Sequence, residues 1–290
     1  MKFGRITKFG QHFSVVFQNN HAYRLQSEVA GEDKPIEAWL ADPEALAEAG
    51  KAAIAGGEAI EFTEDELLAP VKAPRKILAI ALNYLDHARE TGREPPERQT
   101  WFVKQVTALN APFGTIDMPK VSDRLDYEAE LVVVIGRGGR HIPAERADEV
   151  IAGYMCGNDV SVRDWQRATP TMIMGKGFDT HAPVGPWIVT PDEIGDANTL
   201  GVRTLLNGEV RQSGTTADLI HKISDMIAHL SAAFTLEPGD LIFTGTPAGV
   251  AVAYDPPKFM KTGDRVRVEI DRIGHIEHVI ADEAGLTRIG

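Results

Sequence analysis

Apolar positions along the chain gather into short runs bounded by Gly, Pro and Asn, the pattern of a strand-rich protein. The clearest is 131–135, Leu-Val-Val-Val-Ile, continuous and largely β-branched, which predicts a strand. Residues 76–82 predict a buried strand that runs into the polar pair Asn83-Tyr84. Residues 13–17, 187–190, 202–206, 241–244 and 266–270 predict further strands, and Asn207-Gly208 predicts a hairpin turn because both positions tolerate positive φ. Helices are expected over 43–51, with Asp42 as N-cap and Pro43 at the first helical position, over 144–152, and over 219–230. One or two helical turns fit 85–90. Residues 91–99, with Gly92, Pro95 and Pro96, predict a mobile surface loop. Two prolines in 69–74 predict a linker, dividing the chain into a small N-terminal α/β domain (1–70) and a larger domain (71–290). Many short strands with few long helices indicate a β-rich α+β fold and argue against a doubly wound sheet.

Composition narrows the function classes. The 290 residues are 43% hydrophobic and 25% charged, ordinary for a globular enzyme. The formal net charge of −12 and the lack of any basic run exclude a sequence-independent nucleic-acid binder. Cys156 is the only cysteine, so neither an intramolecular disulfide nor a thiolate zinc cluster can form, and its expected place is a small buried hydrophobe. No apolar run approaches the roughly 20 residues of a membrane helix. With no apolar leader after Met1, the expected compartment is the cytoplasm.

The chemistry begins beside the clearest strand. If that strand extends back over Tyr127-Glu128-Ala129-Glu130, its two-residue period puts Glu128 and Glu130 on one face, where like charges repel unless a cation lies between them. Asp159, in Gly157-Asn-Asp-Val-Ser-Val-Arg-Asp164, offers a third carboxylate, although Asn158 and Asp159 also suit a local Asx-type turn. Three carboxylates with open positions suit Mg²⁺ or Mn²⁺; without His or Cys beside them, zinc fits less well. His87 and Glu90 are one helical turn apart, so the carboxylate can orient the imidazole as a general base, or the two can form a plain surface pair. Lys176, between Gly175 and Gly177 and after an apolar stretch, calls for an anionic partner. Arg163 either grips a substrate carboxylate or bridges to Asp164 or Asp126.

Taken in order, Asn83-Tyr-Leu-Asp-His-Ala-Arg-Glu90, Asp126-Tyr-Glu-Ala-Glu-Leu131, Asn158-Asp-Val-Ser-Val-Arg-Asp164, Gly175-Lys-Gly-Phe-Asp179 and Thr244-Gly-Thr-Pro-Ala-Gly-Val250 resemble the fumarylacetoacetate hydrolase family over roughly 75–285. The resemblance implies a twisted, incomplete β-barrel or β-roll catalytic domain, usually a homodimer. It implies Mg²⁺ or Mn²⁺ on Glu128, Glu130 and Asp159, and a small anionic 1,3-dicarbonyl or 2-oxo acid substrate. His87, Glu90 and Lys176 take catalytic roles by this likeness. Tyr84, Arg163, Gln166 and Thr246 take the substrate side, with Asp179 behind Lys176. The activity it implies first is hydrolytic C–C cleavage through an enolate. Decarboxylation of an oxaloacetate-type acid, isomerisation and dehydration are alternatives, as is a non-catalytic metal-binding scaffold. Ala81 and Ala251 stand where the family often has Gly, each adding a methyl group near the expected pocket, and Trp101 and Trp165 are candidates for its wall.

Overall fold

The Ala129–Ile135 strand lies mid-sheet, which explains why it is apolar without alternation. Its odd-numbered residues Leu131, Val133 and Ile135 enter one core, while Val132 and Val134 enter another on the opposite face. Both faces are therefore covered, and every residue of the strand is buried. In the computed structural model, which describes residues 1–26 and 34–285, the strand belongs to an eleven-stranded mixed sheet. From one edge the main path runs His21–Arg24, Gln11–Gln18, Lys2–Lys8, Ala182–Val189, Ile151–Asn158, Ala129–Ile135, Leu241–Phe243, Ile77–Ala81 and Thr100–Lys104. A second sheet of five strands, centred on Gly201–Leu206, Arg265–Ile270 and Gly274–Asp282, packs against the first. The sheets do not close, so the expected incomplete roll is present.

The predicted strands at 13–17, 76–82, 131–135, 187–190, 202–206, 241–244 and 266–270 all coincide with strands, several of them longer. Asn207 and Gly208 turn the hairpin with φ of 53° and 82°. The helix Pro43–Gly56 starts on Asp42, whose side chain accepts from the Ala45 N–H at 3.0 Å, and it covers one face of the sheet through Leu46 and Ala53.

Two expectations are corrected. Residues 144–152 are not one helix: a 3-10 stretch, Ala144–Val150, hands over to the strand Ile151–Asn158. The apolar spacing at 219–230 is real, but the helix is Ile223–Ala233, and it covers the other sheet face with Ile223, Met226, Ile227 and Leu230. The 69–74 stretch has no regular structure. The main sheet nevertheless spans it, because Lys2 and Phe3 pair with Val189 and Ile188. Among the described residues no helix is long and apolar enough to cross a membrane.

Candidate active site

The sheet ladder puts the three acids together. Ala129 pairs with Asn158, and the Asp159 N–H donates to the Glu128 carbonyl at 2.9 Å, one step beyond. Asn158 does not make a local turn. Its Oδ1 accepts from the Glu128 N–H across the strands at 2.9 Å, which fixes the strand end. One carboxylate oxygen from each of Glu128, Glu130 and Asp159 lies within 4.8 Å of the others, and all three residues are buried.

Cations are distributed unevenly over these acids. Lys176 Nζ, on the short helix Ile173–Lys176, donates to Glu128 Oε2 and Asp159 Oδ2, both at 2.6 Å. Arg163 reaches Glu128 Oε1 at 2.7 Å and donates through Nε to Asp126 Oδ2 at 2.7 Å. Its partners are thus Asp126 and Glu128, not Asp164, and its remaining nitrogen donates to the Gln166 side-chain Oε1 at 2.9 Å. Lys104, on the Thr100–Lys104 strand, donates to Asp159 Oδ1 at 2.6 Å. Burial raises the Glu128 carboxyl, but the Lys176 and Arg163 charges outweigh it and hold the group below the usual carboxylate range. Glu130 is the exception. Its Oε2 accepts from the Gly245 N–H at 2.7 Å, and among the described residues no cation pairs with it. Burial and the charges of Asp159 and Glu128 push its carboxyl well up. A buried carboxylate left without countercharge beside two others is a donor set that a hard divalent cation completes, so the residues fit Mg²⁺ or Mn²⁺.

A cleft of about 720 Å³ opens over these acids, with His87, Glu90, Glu128, Glu130, Lys176 and Thr246 in its wall. Arg163, Gln166 and Ala81 line it as well. His87 and Glu90 share the helix Leu85–Glu90, and Nδ1 lies 2.7 Å from Glu90 Oε1. With a carboxylate on Nδ1, that nitrogen carries the proton and Nε2 is left as the basic atom. The helix is tied to the 244–250 loop: Glu90 Oε2 accepts from the Gly249 N–H at 2.9 Å, and Asp86 Oδ2 from the Ala248 N–H at 3.2 Å. Gly249 has φ 104°, and a Cβ there would meet the Arg211 carbonyl at 2.1 Å, so this contact needs glycine.

Several expected residues lie elsewhere. Tyr84 is fully buried in the core and is not part of the cleft wall, and Asn83 beside it bonds the Thr244 and His221 carbonyls. Asp179 and Trp165 line a second cavity behind the Lys176 helix, Trp101 packs on the core, and Ala251 is buried outside the cleft wall. Lys104 and Gln212 are buried members of the site that sequence reading did not single out. Only the Lys104 charge at the end of an apolar strand hinted at either.

A strand-rich fold of this kind, with a buried carboxylate triad that fits a hard divalent cation and a His–Glu pair in the adjoining cleft, matches one family of enzymes. Residues 76–281 match the family of the fumarylacetoacetate (FAA) hydrolase C-terminal domain, and the chain belongs to this family. It is 42% identical to human "Oxaloacetate tautomerase FAHD2A, mitochondrial" over 216 residues, covering 74% of this chain and 69% of that one. A solved fumarylacetoacetate hydrolase from Exiguobacterium antarcticum superposes with a TM-score of 0.86 at 31% identity, covering 98% of this chain and all of the other. The maleylpyruvate hydrolase of Sphingobium sp. SYK-6, solved with manganese (II) and pyruvate, gives a TM-score of 0.82 at 31% identity over the same shares.

Proposed function

We propose that this protein is an acid–base enzyme of small 2-oxo acids that moves the proton on the carbon next to the 2-oxo group, with keto–enol tautomerisation of an oxaloacetate-type diacid as its reaction. The observation that carries the reading is the His87–Glu90 pair, at 2.7 Å, in the same cleft as Glu128, Glu130 and Lys176, with the buried Asp159 held by Lys176 just behind the cleft wall. The name of the 42% identical relatives supports the choice of diacid.

Glu128, Glu130 and Asp159 would hold the divalent ion, which supplies Lewis acidity toward the substrate's 2-oxo oxygen when bound. His87 Nε2 takes the carbon-bound proton, and Glu90 stabilises the imidazolium that forms and keeps the ring turned to the cleft. Lys176 spends two N–H groups on Glu128 and Asp159, and its charge would stabilise the substrate oxygen on which negative charge grows. Thr246, at the cleft wall, offers a hydroxyl to the substrate carboxylate. Return of the proton to oxygen completes the tautomerisation.

A second reading is hydrolytic C–C cleavage of a 1,3-dicarbonyl 2-oxo acid, in which His87 takes its proton from water. The cleft volume of about 720 Å³ favours it, since that space exceeds what a four-carbon diacid fills. Decay of the enol absorbance of oxaloacetate and release of pyruvate from acylpyruvates, followed with Mg²⁺ or Mn²⁺, separate the two. Wild type should accelerate enol decay over buffer, and His87→Ala should lose on the order of a hundredfold or more. Acylpyruvate cleavage without enol decay would replace the first reading by the second. Activity of His87→Ala equal to wild type on both substrates would remove His87 from the chemistry.

A further inference from the structure

Gln212, on the strand Glu209–Thr215 far from the motifs that mark the site, is fully buried, and all of its amide hydrogen-bonding positions are engaged. Oε1 accepts from the Ala129 N–H at 3.0 Å and from the Thr204 hydroxyl at 2.7 Å. Nε2 donates to the Pro247 carbonyl and to Thr246 Oγ1, both at 2.8 Å. The amide cannot be turned over. A backbone N–H only donates and a carbonyl only accepts, so Ala129 fixes the oxygen and Pro247 fixes the nitrogen. Thr246 Oγ1 must therefore accept from Gln212. Its own proton has no other acceptor among the described residues, and Thr246 lines the cleft.

We infer that Gln212 is a positioning residue that sets the polarity of the substrate site: it holds the Thr246 hydroxyl as a donor toward the cleft, so that the site selects a carboxylate oxygen and rejects a group that must itself donate. Ala129 stands between Glu128 and Glu130, so the same amide also locks the strand of carboxylates to the loop that carries the hydroxyl. This inference rests on the proposed carboxylate contact at Thr246, but it does not depend on which reaction follows. Its test therefore uses binding and not turnover.

Pyruvate and pyruvamide, similar in shape, are titrated calorimetrically into Mn²⁺-loaded wild type and Thr246→Val. The carboxylate only accepts, whereas the amide replaces one acceptor oxygen by a donor and loses the charge, so the share of the preference that Thr246 sets is the part that Thr246→Val removes. Wild type should bind pyruvate at least tenfold more tightly than pyruvamide. Thr246→Val should weaken pyruvate about tenfold, the scale of one hydrogen bond to a charged group, and Thr246→Ser should retain it. Gln212→Glu puts an acceptor where the donor was and should weaken pyruvate at least as much as Thr246→Val. The double variant should bind no worse than Thr246→Val alone. Gln212→Met, which removes the donor without inverting it, should give a smaller loss and guards against misfolding of the charged variant. Mn²⁺ affinity measured on each protein should stay within about threefold of wild type. Equal losses from Gln212→Glu with Val or Thr at 246 would overturn the inference, as would a wild-type affinity in Gln212→Met. An unchanged affinity in Thr246→Val would overturn it through the contact it rests on, whether or not the enzyme turns over oxaloacetate.

Discussion

At the residue scale the site is a problem of charge placement. Four carboxylates, Asp126, Glu128, Glu130 and Asp159, meet three cations, Lys104, Lys176 and Arg163, with Glu130 left over. Lys176 stands 2.6 Å from an oxygen of Glu128 and from one of Asp159, two of the three acids that would hold a metal. It therefore competes with the ion electrostatically while serving the substrate. Lys176→Met should bind Mn²⁺ as tightly as wild type or more tightly, while kcat/KM falls at least a hundredfold; calorimetry and steady-state kinetics on the same preparation check both halves. A loss of metal affinity would make Lys176 a scaffold for the carboxylates instead of a group aimed at substrate. Glu128 with Glu130, and His87 with Glu90, were legible because their spacing has a geometric meaning, while Asp159 and Lys176 were legible from the ordered family motifs in which they stand. Lys104 and Gln212 were not, because their roles come from partners 55 and 34 residues away, a relation that no local spacing encodes. Tyr84 shows the converse: a polar residue inside a motif can still face the core.

At the scale of elements, the site depends on two short helices held in contact. Arg163–Arg167 carries Arg163 and Gln166, and Ile173–Lys176 carries Lys176. Gly175 allows them to meet, since a Cβ there would lie 2.1 Å from the Gln166 N and 2.4 Å from its Cα, both backbone atoms. Gly175→Ala must push the helices apart, moving Lys176 away from Glu128 and Asp159. The expected result is a loss of roughly 1–3 kcal/mol in stability by denaturant titration, the usual scale of overpacking, and a larger fractional loss of activity than of fold. A variant with wild-type kinetics would mean that the spacing of the helices is not critical. Elements were read well wherever the hydrophobic period was unambiguous, as at 131–135. The start of the strand Ile151–Asn158 was read as the end of a helix and the rest of it was not read as a strand, because Ala152, Gly153 and Gly157 carry little β preference. Its position between two long strands, with all eight residues buried, overrides that local preference.

At the scale of the whole molecule, the incomplete roll was legible only through the order of motifs, since the pairing of Lys2 with Val189 joins positions 187 residues apart in a 290-residue chain, which periodicity cannot foresee. The fold also buries two histidines that the chemistry does not use. His278, on Gly274–Asp282, bonds the Ala111 carbonyl through Nε2 at 3.0 Å, and His181 bonds the Asp117 carbonyl at 2.8 Å. Burial depresses both, His278 to about 4 and His181 to about 3, from an ordinary value of 6.5. Above pH 6.5 the two are neutral in the folded and unfolded states alike and leave stability unchanged. Between 6.5 and about 4 the unfolded chain binds two protons that the folded chain refuses, so stability falls as the pH drops, by on the order of 1.4 kcal/mol per pH unit for each histidine. Chemical denaturation at pH 7, 6 and 5 should show that decline, and His278→Gln should flatten its share of the slope while leaving catalysis intact, because the ring lies outside the cleft. A slope identical in wild type and in the His278→Gln, His181→Gln double variant would assign the acid sensitivity to the carboxylate cluster instead. The cluster is distinguished by its response to Mn²⁺, which should protect the fold against acid only while the triad remains ionised.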